Sequence, residues 1–226
     1  TKAVNALSNY FKVTAFRDGK EKTAEFERGV LTQDHKETKT TEENGTLVTF
    51  VPDDKIFKNF HFVQEYLDNQ FWNYCYLNAG LVMNLNNKRY VSKNGLLDLL
   101  QRKTNEDEIR YPIIHLKGED IEVALTHEND YGEEYYSFVN GQFTTQGGTH
   151  LAAFREALIK TIREFYKKDY DATDIRGSVC AALSVRVQEP VFESQTKTKL
   201  GSQTVYEGGP SMRNFIGDFL GKELNN

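Results

Sequence analysis

The stretch Gln195-Thr196-Lys197-Thr198-Lys199 sets an amide and two ammonium groups on a polar loop. Just before it, Val179, Ala181, Leu183, Val185 and Val187 alternate with Cys180, Ala182, Ser184 and Arg186 in the two-residue period of a strand, which Pro190 stops. A cation held at the end of a rigid sheet element can be aimed at an anion. A loop that is merely solvated has the same composition, so its surroundings decide between the two. A second cluster of charge, Arg155, Lys160, Arg163 and Lys167, falls on one helical segment beside an apolar stripe. Pairs such as Glu156 with Lys160 make that pattern ordinary on a solvated helix. Thr46 opens an extended segment after the turn pair Asn44-Gly45, where a threonine is also an ordinary strand residue. The five histidines and the two cysteines, Cys75 and Cys180, show no ligand spacing, so neither a metal site nor a disulfide framework is expected.

The elements that must position these groups follow from periodicity and turn chemistry. Residues 9–16 and 23–30 predict a hairpin around Asp18-Gly19, residues 33–43 a polar surface loop, and residues 46–53 a strand ended by Pro52. Val63, Leu67, Phe71 and Tyr74 mark a helix over about 61–78 with Gly80 at its end. A hairpin through Asn86-Asn87 and a short helix from Leu96 to Leu100 come next. The wholly polar run 101–108 reads as a domain boundary. Beyond it, strands at 111–116, 121–126 and 135–139 precede Gly147-Gly148, with Thr149 as N-cap of a helix whose stripe is Leu151, Phe154, Leu158, Ile162 and Phe165. The alternating strand, the key loop and a last amphipathic helix through Met212, Phe215, Ile216, Phe219 and Leu220 complete the order. Strands in a run with helices inserted late predict an α+β class, with helices covering one face of a mixed sheet.

At 226 residues the chain is long enough for two modest cores. A net charge of −5 means that any contact with nucleic acid must come from a local basic patch. No apolar run reaches the roughly eighteen residues of a membrane span, and few cysteines suit a reducing, cytoplasmic setting. Thr1 to Leu7 reads as part of a helix, as expected of a piece taken from a longer protein.

Gln146-Gly147-Gly148-Thr149-His150-Leu151-Ala152-Ala153-Phe154-Arg155, followed in order by Gln195-Thr196-Lys197-Thr198-Lys199-Leu200, resembles the B subunit of a type IIA DNA topoisomerase. The resemblance runs from Val4-Asn5-Ala6-Leu7-Ser8 to the final helix. Gln146 and Thr198-Lys199-Leu200-Gly201 look more like the bacterial topoisomerase IV branch than the gyrase branch. The resemblance implies the C-terminal half of a GHKL ATPase domain over 1–103 and a transducer domain over 104–226, whose sheet contains a left-handed βαβ crossover. It implies that Lys197 and Gln195 meet the γ-phosphate of ATP and that Thr46, in Gly45-Thr46-Leu47-Val48-Thr49-Phe50, joins the network that reads adenine. It further implies that Arg155, with Lys160 and Arg163, faces double-stranded DNA. Partners implied are a topoisomerase A subunit in a heterotetramer and a second B subunit on ATP binding. ATP and Mg2+ are the cofactors of the full-length enzyme. The family's catalytic glutamate, magnesium-binding asparagine and glycine-rich lid have no counterpart here, so the isolated chain is expected to bind no cofactor and to be inactive. Two alternatives stand beside this reading: a supercoiling gyrase subunit, and a non-catalytic dimerisation or DNA-holding module of another GHKL ATPase.

Overall fold

The computed structural model describes residues 1–225, which divide into two compact units, one of residues 1–64 and one that begins at Glu65. In the first unit a short helix α1 (Lys2–Ala6) leads into β1 (Ser8–Arg17), β2 (Lys20–Glu27), β3 (Val30–Asp34), β4 (Thr38–Lys39) and β5 (Gly45–Pro52). These form an antiparallel sheet in the order β3-β2-β1-β5, with β4 also on β2. The expected hairpin is present, with Arg17 opposite Lys20 across a turn whose Asp18 and Gly19 both take positive φ. The predicted second strand is broken by Arg28 and Gly29, also at positive φ, into two strands, and the expected loop at 33–43 carries β4. Phe11 is the one fully buried apolar side chain of this unit among the described residues. Every residue of β5 except Pro52 is exposed.

The second unit contains α2 (Gln64–Leu77, one residue of it across the division), the hairpin β6 (Val82–Leu85) and β7 (Lys88–Val91), and α3 (Leu96–Lys103). These are followed by β8 (Ile114–Gly118), β9 (Ile121–His127), β10 (Glu134–Val139), β11 (Gln142–Phe143), α4 (Thr149–Tyr166), α5 (Ala172–Arg176), β12 (Val179–Val185) and α6 (Met212–Glu223). Its five-stranded sheet runs β11-β10-β12-β9-β8 and is mixed: β10 pairs parallel to β12 through the α4–α5 crossover, and the other pairings are antiparallel.

The alternation of β12 divides the core. Val179, Ala181, Leu183, Val185 and Val187 pack with Phe154, Leu158, Ile216 and Leu220 of α4 and α6. Cys180 and Ala182 face Leu96, Leu99 and Leu100 of α3 and Tyr76 of α2. The sheet is therefore covered on both faces, not on one as the sequence suggested. This is why the packing division falls at residue 64 and not within 101–108: the leucines of α3 have their apolar partners on β9, β10 and β12. Phe165, expected in the apolar stripe of α4, is 57% exposed.

Candidate functional site

The loop after β12 is built by its exits. Asn140, at positive φ in the turn after β10, clamps Val187: its Oδ1 accepts from the Val187 amide at 2.8 Å and its Nδ2 donates to the Val187 carbonyl at 2.7 Å. Further on, the Val191 amide donates to Ser202 Oγ at 2.8 Å and the Gly201 amide to the Val191 carbonyl at 2.8 Å. Phe192 bridges Leu200, and the Glu193 amide donates to the Lys199 carbonyl at 3.0 Å. These bonds close residues 191–201 on themselves and leave 194–198 as a tip.

The Gly147-Gly148 turn is a second strut. The Gln146 amide donates to the Thr198 carbonyl (2.9 Å), the Leu200 amide to the Gly147 carbonyl (3.0 Å) and the Thr149 amide to the Leu200 carbonyl (3.1 Å). Thr149 is not the N-cap expected from the sequence. Gly148 holds that position, and the Thr149 hydroxyl instead donates to the Ser202 carbonyl at 2.6 Å. Gly148 has φ +133, and a Cβ there would stand 2.4 Å from the Leu200 carbonyl oxygen, so only glycine lets the two segments touch. The two sequence motifs are thus one structure.

At the tip the Lys197 amide donates to the Ser194 carbonyl at 3.0 Å, and Lys197 itself takes a left-handed φ of +55. The hydroxyls of Ser194 and Thr196 lie 2.7 Å apart. The two lysines differ in their partners. Lys199 Nζ is paired with Glu193 at 3.1 Å, whereas the exposed Lys197 ammonium has no hydrogen bond or ion pair among the described residues, and neither does the exposed Gln195 side chain. The tip therefore presents one uncompensated cation, an amide and two hydroxyls, a donor set suited to an anion with several oxygens. It carries no carboxylate.

Beneath the strut lies a buried polar chain that sequence reading passed over. His150 is fully buried, its Nε2 lies 3.0 Å from Thr144 Oγ1, and Thr144 exchanges hydrogen bonds with Ser137 on β10. Burial pushes the imidazole down to about 4, so it is neutral at ordinary pH. The signal available in the sequence was a histidine directly after a glycine pair and a threonine, indistinguishable there from a surface residue.

The remaining predicted residues are placed as follows. Thr46 sits on β5 of the first unit, opposite Ala15, with an exposed side chain. Arg155 pairs with Glu133 at 2.9 Å and lies over the Tyr135 ring, and Arg176 approaches the same carboxylate at 3.6 Å. Arg163 pairs with Asp169 at 3.1 Å and donates twice to the Tyr170 carbonyl. Lys160 makes a long contact with Glu164 at 3.8 Å. Arg155 and Arg163 are thus paired within the molecule, whereas the exposed Lys160 is held only loosely. A separate cleft of about 990 Å³, lined by residues including Asp120, Asn140, Arg186 and Tyr206, opens beside the Asn140 clamp and does not include the tip.

The DNA gyrase B family matches residues 80–226. The DNA topoisomerase 4 B subunit of Borreliella burgdorferi is 45% identical over 202 residues, which are 89% of this chain and 34% of that protein. The DNA gyrase B subunit of Cytophaga aurantiaca is 35% identical over 228 residues, 89% of this chain and 48% of that one. The chain thus spans between about a third and a half of these relatives. Among solved structures, the 43K ATPase domain of Thermus thermophilus gyrase B, in complex with an aminocoumarin, superposes with a TM-score of 0.75 at 26% identity, covering 98% of this chain and 65% of that one. The α+β layering, the mixed five-stranded sheet with its parallel β10–β12 pair and the family match over residues 80–226 agree, and the chain belongs to the DNA gyrase B family, the B subunits of type IIA DNA topoisomerases.

Proposed function

We propose that this chain is the part of a bacterial type II topoisomerase B subunit, of the topoisomerase IV kind, that senses ATP and passes its state to the DNA-transporting machinery. The observation that carries this reading is the contrast at the loop tip: Lys199 is neutralised by Glu193, while Lys197, in a strutted turn, is left as a free cation among the described residues. ATP would supply a phosphoryl group whose oxygens gather charge as it is transferred. Lys197 would meet that charge as a point cation and Gln195 would orient it with a directional N–H. The struts to Gln146, Gly147 and Thr149 carry the tip's position to α4, so holding the anion would bias the arrangement of the second unit. Thr46 would contribute to adenine recognition from the first unit. Assignment of 1–103 to the ATPase domain and 104–226 to the transducer belongs to this proposal and is distinct from the packing division at residue 64.

The remaining partners follow from the family: an A subunit, a second B subunit, double-stranded DNA, a Mg2+ ion held by residues other than these, and a cytoplasmic, nucleoid-associated setting. Contact between the strip of α4 and DNA phosphates would require Arg155 and Arg163 to exchange Glu133 and Asp169 for phosphate, which makes it weak and salt-dependent. The topoisomerase IV reading is favoured over gyrase by the 45% identity to the Borreliella burgdorferi protein against 35% to the Cytophaga aurantiaca gyrase protein. By itself the chain is proposed to be inactive in ATP hydrolysis and in DNA cleavage.

The test is Lys197→Ala in the full-length B subunit paired with its A subunit. DNA-stimulated ATPase and decatenation are expected to fall about a hundredfold to a thousandfold while nucleotide binding persists, the usual cost of removing one preorganised donor. Retention of both rates would remove Lys197 from the site.

A further inference from the structure

At the end of the sheet away from the key loop, three potential ligands converge from three adjacent strands. Glu134 opens β10, Cys180 is its register partner on β12, and Glu128 follows the last residue of β9, its amide bonded to the Ser178 carbonyl at 2.8 Å. One oxygen of each carboxylate and the Cys180 sulfur all lie within 4.8 Å of one another. The carboxylates alone would be a commonplace of protein surfaces. The thiol is what distinguishes the cluster: Cys180 is 0% exposed, makes no hydrogen bond among the described residues, and lies beneath both glutamates.

We propose that Glu128, Glu134 and Cys180 form a site for a thiophilic divalent transition metal, Zn2+ in the first instance, with water at the fourth position. Charge and donor type both select that class of ion. Two carboxylates and a thiol are hard and soft donors together, a set that suits zinc and disfavours magnesium or calcium. Around one tetrahedral ion with bonds of about 2.0–2.3 Å, donor atoms sit roughly 3.3–3.7 Å apart, so the observed spacing closes by movements on the order of 1 Å. Glu134 is exposed and Glu128 half-buried, which supplies both that freedom and a path for entry.

The Tyr136 hydroxyl donates to Glu134 and would fix the direction of its carboxylate. Burial first, and then the negative charges of Glu134, Glu108 and Asp130, hold the Glu128 carboxyl above the usual range. Lys103, seated over the Tyr136 ring, is the cation that acts on Cys180. Without a metal the thiol is kept protonated, pushed up to about 12 by burial first and by the two glutamates next. A divalent ion inverts that balance. On binding, the S–H bond is replaced by an S–metal bond, the proton passes to water, and no electrons change hands. The ion would tie together the ends of the three central strands.

The test uses the whole 226-residue chain with Co2+ as a spectroscopic probe and Zn2+ as competitor. A thiolate-to-cobalt charge-transfer band in the near ultraviolet is expected, displaced by Zn2+ and strengthening by about tenfold in apparent affinity per pH unit, because one proton is released. Cys180→Ala should abolish the band, and Cys75→Ala, at the other cysteine, should leave it unchanged. Glu134→Gln, at an exposed position where folding is not at stake, should weaken cobalt binding about tenfold or more. Cobalt binding without the band, a band that survives Cys180→Ala, or no binding at micromolar metal would each overturn the site.

Discussion

The two lysines of the key loop show how little of a residue's role is carried by its type. Lys197 and Lys199 are two positions apart and chemically identical, yet only Lys199 has a carboxylate partner among the described residues, across the closed base of the loop. Lys199→Ala is therefore expected to change ATPase activity by no more than a few-fold in the full-length enzyme, where Lys197→Ala costs about a hundredfold or more. Equal losses at the two positions would contradict this division of roles. His150 gives a second residue-scale prediction. Its folded-state value of about 4 lies below the ordinary value of about 6.5, so the unfolded chain takes up the proton first. This contribution is complete above pH about 6.5 and is lost progressively as the pH falls towards 4, by roughly 3 kcal/mol in all. Urea unfolding at several pH values should show that slope in the parent chain and not in His150→Gln, whatever the variant's absolute stability.

At the scale of elements, two segments distant in sequence are held in contact. The N-terminal turn of α4 lies against residues 198–202 through backbone bonds, and the approach is closest at Gly148. Gly148→Ala combines a disallowed φ with a methyl forced against the Leu200 backbone. It is expected to cost about 2–5 kcal/mol, read as a lower urea midpoint, and to loosen the tip. On the opposite face, α3 is held by apolar contact and by an unusual cap. Glu122 of β9 accepts from the Leu96 amide at 2.9 Å and from His115 Nε2 at 2.8 Å, while Asp98 in the first turn of α3 accepts from the Lys93 amide at 2.9 Å and the Asn94 amide at 3.0 Å. Leu99, 1% exposed, is buried in that contact, so Leu99→Ala should destabilise the second unit by about 2–5 kcal/mol.

At the scale of the whole molecule, the two units differ in how much they bury. The second carries an apolar core on both faces of its sheet, while the first has Phe11 with the polar Ser8, Thr14 and Asp53 as its buried residues. In β5 and the segment after it, Leu47, Val48, Phe50, Val51, Phe60 and Phe62 are all exposed. Few buried apolar contacts mean a low cost of local opening. Amide hydrogen exchange of the 226-residue chain is therefore expected to be about a hundredfold faster or more in β2, β3 and β5 than in β9 and β12. Comparable protection in the two units would show that the first is stabilised by something other than its own core.

Local chemistry made much of this legible in the sequence. The two-residue period of β12, most of the stripe of α4 and the hairpin turns at Asp18-Gly19 and Asn86-Asn87 are decided by neighbours within a few residues, and the structure has each of them, whereas β12 ends at Val185, before Pro190 is reached, and Phe165 is exposed. The identity and order of the two motifs were enough to recognise the family. What the sequence could not decide depends on contacts between distant segments. Among these are the pairing of Lys199 with Glu193, the internal pairing of Arg155 and Arg163, and the burial of His150. The packing of α3 onto the far face of the sheet and the meeting of Glu128, Glu134 and Cys180 belong with them. Periodicity reports that a residue is buried or exposed, but the partner that neutralises a charge or faces a thiol comes from another strand, and only the tertiary fold brings it there.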